Sequence, residues 1–180
     1  MSRVLIVAGG CRGRRLAAGL IADGHAVRIT TRGERGRAAI EALGAECWVG
    51  TPDRLATLRG ALEGVTIACW LLGTAAGPAA ELEALHGPRL RLFVTQTIDT
   101  AVRGLVYEAR GAAGAQALIA GGERAVRELA ERNAIPVAFL TADPCGARGW
   151  GGSDEPAGAG QSERWLADAR GAVGRLLSRA

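Results

Sequence analysis

Apolar and polar positions alternate along this chain with two periods. Residues 4–7 form a short apolar run, and beyond it Leu16, Ala17, Leu20 and Ile21 recur at helical spacing. After the stop signal Asp23-Gly24-His25, residues 26–32 read as a second strand with β-branched residues toward its end. Residues 34–43 follow as a short helix and 45–49 as a third strand. Thr51 as N-cap and Pro52 at the first helical position open a helix that turns Leu55, Leu58, Ala61 and Leu62 inward and stops at Gly64. Residues 65–72 are almost continuously apolar, the pattern of a central parallel strand covered on both faces. A helix starting near Pro78, a fifth strand at 90–95 and a further strand at 104–107 come next. An amphipathic helix over 116–132, interrupted by Gly121-Gly122, leads to a strand at 137–141. Six glycines mark a mobile loop over 146–161, which also holds Trp150. Ser162 caps a last helix, 162–179, with Trp165, Leu166, Ala169, Val173, Leu176 and Leu177 on one face.

Strands alternating with helices predict an α/β fold: a doubly wound, mostly parallel sheet with helices on both faces. The junction between the first strand and first helix carries the candidate chemistry. Gly9, Gly10, Cys11, Arg12 and Gly13 make a tight turn in which glycine lets a phosphate approach the backbone. The helix beyond it offers unpaired N–H groups and the positive end of its dipole. Read as the dinucleotide fingerprint the turn is Ala8-x-Gly10-x-x-Gly13, with alanine at the first glycine position. Residues 1–180 are therefore expected to form a single Rossmann-like dinucleotide-binding domain.

Charge sharpens this picture. All 22 basic residues are arginine, and eight of them fall in residues 1–37 against two acids, so positive charge gathers around the glycine turn. At the end of the second strand, where a carboxylate usually holds the adenosine ribose of NAD, stand Thr30, Thr31 and Arg32. Arginine suits a 2′-phosphate instead, because its planar fork donates two hydrogen bonds. Arg12, Arg35 and Arg37 are near enough in sequence to converge on the same group, which points to NADP over NAD. Nucleic acid is disfavoured as a partner, since few aromatics accompany the basic segment. The four cysteines lie far apart with no C-x-x-C pair, which predicts reduced thiols, a cytoplasmic location and no metal site. No run of 18 apolar residues suggests a membrane span.

Over roughly residues 3–100 the chain resembles the cofactor half of short-chain dehydrogenases and reductases, above all their atypical and extended subfamilies. The resemblance rests on the glycine turn, Thr30-Thr31-Arg32, Gly44-Ala45-Glu46 through Gly50, and the apolar strand closing in Leu72-Gly73-Thr74. It implies that Gly73 and Thr74 pass under the nicotinamide ribose, and that Asp53, displaced by two residues, lies near the acid that often holds adenine. It also implies a hydroxyl at the end of the fifth strand, making Thr95 and Thr97 candidates to polarise a substrate carbonyl. The family's acid is a tyrosine with a lysine four residues on; Tyr107 is the only tyrosine, Gly111 stands four residues later, and the chain has no lysine. Tyr107 is thus a third catalytic candidate without its usual partner. Three readings follow: an NADP(H)-dependent oxidoreductase acting on a small molecule, a non-catalytic dinucleotide sensor similar to NmrA-like proteins, or a Rossmann-shaped domain that binds no nucleotide. A homodimer is one assembly open to such a domain, and the sequence does not give the oligomeric state.

Overall fold

The computed structural model describes residues 1–7, 9–144 and 159–179. Six strands, β1 (Arg3–Val7), β2 (Ala26–Thr31), β3 (Glu46–Val49), β4 (Ile67–Trp70), β5 (Gly104–Glu108) and β6 (Val137–Leu140), form one sheet in the order β3-β2-β1-β4-β5-β6. Every neighbouring pair is parallel, with Val4 beside both Val27 and Ile67. Because side chains alternate along each strand, the central strands bury both faces. Leu5, Val7, Ala68, Trp70, Leu105 and Tyr107 face α3 (Ala79–His86), α4 (Pro88–Ile98) and α5 (Gln116–Arg132). Val4, Ile6, Ile67, Cys69 and Val106 face α1 (Cys11–Ala22), α2 (Arg37–Glu41) and α6 (Ala159–Leu177).

Four expectations are corrected. The strand expected at 90–95 is the middle of α4: Pro88 opens the helix, and Leu90, Phe93, Val94 and Thr97 are buried at spacings of three, four and seven. No α-helix follows Pro52; Thr51 bridges Arg54, and Leu55–Leu58 and Gly60–Leu62 are single 3₁₀ turns. The indole of Trp48 donates to the Thr57 carbonyl at 2.7 Å, which diverts an acceptor a continuous helix would use. Their apolar residues still enter the core. The glycine pair does not interrupt α5; Gly122 makes room there for the Tyr107 hydroxyl. Ser162 lies within α6, three residues past its start, and is not its cap. Residues 145–158, with Trp150 and most of the expected glycine loop, lie outside the described residues.

Candidate functional site

The C-terminal ends of β1, β2 and β4 open on a cavity of about 510 Å³, at the point where strand order departs from β1 in both directions. Open parallel sheets take their ligands at such a reversal. The floor is the glycine turn, Gly9 to Gly13; one wall is Thr30, Thr31 and Arg32, followed by Gly50, Pro52 and Asp53. Leu71, Leu72, Thr74 and Ala75 after β4, with Leu82 and Leu85 of α3, close the other side with largely apolar surface.

The two glycines at the mouth of α1 serve different ends. A Cβ on Gly9 would stand 2.6 Å from the Thr30 carbonyl oxygen, so the turn can press against β2 only without a side chain. Gly10, the N-cap, has φ −71° and ψ 179°, which any residue adopts, and a Cβ there meets no atom within 4 Å. Gly10 therefore preserves open space at the start of a helix whose first turn carries no acid. That is a cradle an anion fits, seated on N–H groups the helix leaves unpaired. Gly10→Val should melt close to the wild type yet lose the stabilisation conferred by a phosphate-bearing ligand. Thermal melts with and without ligand check this, and an undiminished ligand shift would move the phosphate elsewhere.

Behind the floor lies a buried ion pair that sequence reasoning missed. Glu108, fully buried at the end of β5, accepts from both terminal nitrogens of Arg12, from the Gly73 N–H at 2.6 Å and from the Trp165 indole N–H at 2.9 Å. Arg12 also donates to the Thr74 hydroxyl and lies 5.0 Å over the Trp165 ring. Burial pushes the Glu108 carboxyl up, while Arg12 and the two N–H donors oppose this. Gly73 stands just behind the cavity wall, where a Cβ would run into the Arg110 carbonyl.

Of the arginines expected to converge at the ribose end, only Arg32 is placed there. It is exposed on the cavity rim, and among the described residues it has no ion-pair partner. Arg12 turns inward to Glu108, and Arg37 pairs on the surface with Glu34 and Glu41. Asp53 does line the cavity, but its carboxylate accepts from Arg89 at 2.7 Å and from Thr51 at 3.0 Å.

None of the three catalytic candidates lines this cavity. Thr95 and Thr97 sit on α4 and donate back to the carbonyls of Arg91 and Val94. The fifth strand of the chain is β5, and Ala109, Arg110 and Gly111, which follow it, carry no hydroxyl. Tyr107 is buried on the opposite face of the sheet from Arg12's helix, donating to the Ile119 carbonyl at 3.1 Å and facing His86 Nδ1 at 3.1 Å. Burial raises the phenol and lowers His86 to about 4. A histidine kept neutral when folded stabilises the protein fully above its unfolded value near 6.5 and loses that contribution as pH falls toward about 4. Denaturant melts across this window should show declining stability in the wild type and a flatter profile in His86→Leu.

No protein-family model matches this chain, and no curated protein matches it in sequence. Its fold does match solved structures. A short-chain dehydrogenase/reductase superfamily protein from Agrobacterium tumefaciens with bound NAD aligns at a TM-score of 0.63 and 19% identity, over 77% of this chain and 48% of its own. Vestitone reductase from alfalfa aligns at 0.61 and 17%, over 78% of this chain and 56% of its own. The Citrobacter sp. triphenylmethane reductase complexed with NADP(H) aligns at 0.58 and 18%, over 77% and 48%. The chain thus spans about half the length of these structures. The likeness establishes the fold: a Rossmann-type sheet of the kind found in short-chain dehydrogenases and reductases. Among the described residues no helix is long and apolar enough to cross a membrane.

Proposed function

We propose that this chain is a dinucleotide-binding protein that takes NADP(H) ahead of NAD(H). The observation that carries this reading is the cavity over α1's start, with an arginine and no carboxylate where β2 reaches its rim. In this reading Gly9, Gly10, Cys11, Arg12 and Gly13 receive the pyrophosphate, Thr31 and Arg32 the 2′-phosphate, and Gly73 and Thr74 border the ribose. The leucines of α3 and the β4 loop exclude water from the adenosine. That one fold neighbour holds NAD and another NADP(H) agrees with either dinucleotide entering such a site.

A bound nicotinamide supplies hydride chemistry, which would make the chain an oxidoreductase of atypical short-chain type, without the tyrosine and lysine pair. The second reading, a non-catalytic dinucleotide sensor, is favoured by one specific observation: Thr95, Thr97 and Tyr107 all bond backbone carbonyls away from the cavity. Calorimetric titration and thermal melts with NADPH and NADH test the shared part. A ligand at 100 times its Kd adds about 2.7 kcal/mol, several degrees for a domain of this size. No shift with either dinucleotide would leave only the Rossmann shape. Binding together with NADPH oxidation by a carbonyl panel favours the oxidoreductase, and binding without turnover favours the sensor.

A further inference from the structure

Nucleotide binding by the glycine turn does not account for a carboxylate buried directly behind it. Glu108 ties together three walls of the site: the turn through Arg12, the loop after β4 through Gly73, and α6 through Trp165. All these partners are donors, so the site is built for an ionised carboxylate and not for an amide, whose NH₂ would face other donors. Arg12 is about nine-tenths buried, yet it forms part of the cavity's lining. One guanidinium therefore lies between a resident anion and the place where an anionic ligand would sit.

We propose that Arg12 is a shared cation, paired with Glu108 while the cavity is empty and drawn toward the phosphate of an entering nucleotide, so that Glu108 sets how tightly that phosphate is held. The identity of the nucleotide rests on the reading above; the competition between the carboxylate and a phosphate does not. A phosphate approaching the floor meets a guanidinium whose charge is largely cancelled by Glu108. Remove that charge, and the buried guanidinium loses the carboxylate that offsets most of its charge, so its burial becomes less favourable. The ligand's phosphate is then its replacement. Glu108 acts here through Arg12 as a residue that tunes affinity. Trp165, which touches both members, holds the guanidinium plane in place from α6.

The test is Glu108→Gln in the full chain, titrated with NADPH and separately with inorganic pyrophosphate over a range of salt concentrations. The ligand-free variant should melt lower than the wild type. Both ligands should bind it about tenfold more tightly, the size of one added charge-assisted hydrogen bond. The salt dependence of binding should also steepen, which loss of a purely structural contact would not produce. Unchanged or weaker binding by a folded variant overturns the proposal. If that variant does not fold, Arg12→Leu with Glu108→Leu decides, because an apolar pair commonly replaces a buried ion pair at little loss of stability. Binding about tenfold weaker than wild type is then expected, again one charge-assisted bond, and equal binding overturns the idea. A wild type that binds no dinucleotide, with a glutamine variant that gains pyrophosphate, sinks the nucleotide reading and leaves the shared cation standing. A wild type that binds NADPH, with a variant unchanged toward both ligands, does the reverse.

Discussion

Arg12→Leu alone should lower the free energy of unfolding by about 3 to 5 kcal/mol, because it leaves the Glu108 carboxylate buried without its cation. At this chain length that is a fall in Tm of roughly ten degrees. Glu108 has no exposure to water, and its remaining partners, Gly73 N–H and the Trp165 indole, are neutral donors. By contrast Arg37, which pairs with Glu34 and Glu41 on the surface, should be replaceable by alanine with little change in stability, since exposed pairs are solvated on both sides. Urea melts of the two single variants, and of Arg12→Leu combined with Glu108→Leu, measure the difference. A loss below about 1 kcal/mol for Arg12→Leu would mean that the carboxyl takes up a proton or reaches water without disturbing the fold. The double variant should regain most of the lost stability.

Arg32→Asp should reverse cofactor preference. The wild type is expected to bind NADP(H) about 10- to 150-fold more tightly than NAD(H), the range for one hydrogen bond to a charged group. The aspartate variant should favour NAD(H), because a carboxylate repels the 2′-phosphate and accepts from a free 2′-hydroxyl. Raising salt should narrow the wild-type gap, as Arg32 is exposed and its field is screened. Parallel titrations of both proteins with both dinucleotides decide the matter. Equal affinities in the wild type, or a preference that survives Arg32→Asp, would remove this arginine from the site.

Much of the architecture was legible because the strands are short and apolar and glycine turns separate them from the helices. Residues 4–7 with Gly9 to Gly13 announced both the first βα unit and the cavity floor. Over 90–95 the β-branched Val94 and Thr95 suit a strand, but the buried set Leu90, Phe93, Val94 and Thr97 is helical, and exposed Leu92 breaks any strand alternation. The strand reading also moves the catalytic candidates, since it puts Thr95 and Thr97 at a strand end that belongs to Glu108. The Arg12–Glu108 pair left only a faint local trace. Its members are 96 positions apart, and an acid closing the strand run Gly104–Glu108 looks like an ordinary polar strand end. A signal was nonetheless there: arginine in the turn directly before Gly13 begins the buried side of α1, where a charge needs a partner.

Helix α6 gives the molecule a particular order of assembly. Arg15 reaches Ser162, and Arg170 reaches Asp23, each across 147 positions of chain, while Trp165 completes the surroundings of Glu108. Contacts this distant in sequence form late, because the intervening chain must first give up its freedom. During synthesis the glycine turn leaves the ribosome early, but the group that steadies Arg12 against Glu108 emerges only after both strands flanking β4 have been made. A nascent chain stopped short of Trp165 would leave uncovered the part of that sheet face on β4, β5 and β6, with Cys69, Val106 and Leu140, on which α6 packs. The surroundings of Arg12 and Glu108 are thus completed only when α6 packs, later in synthesis than the glycine turn itself.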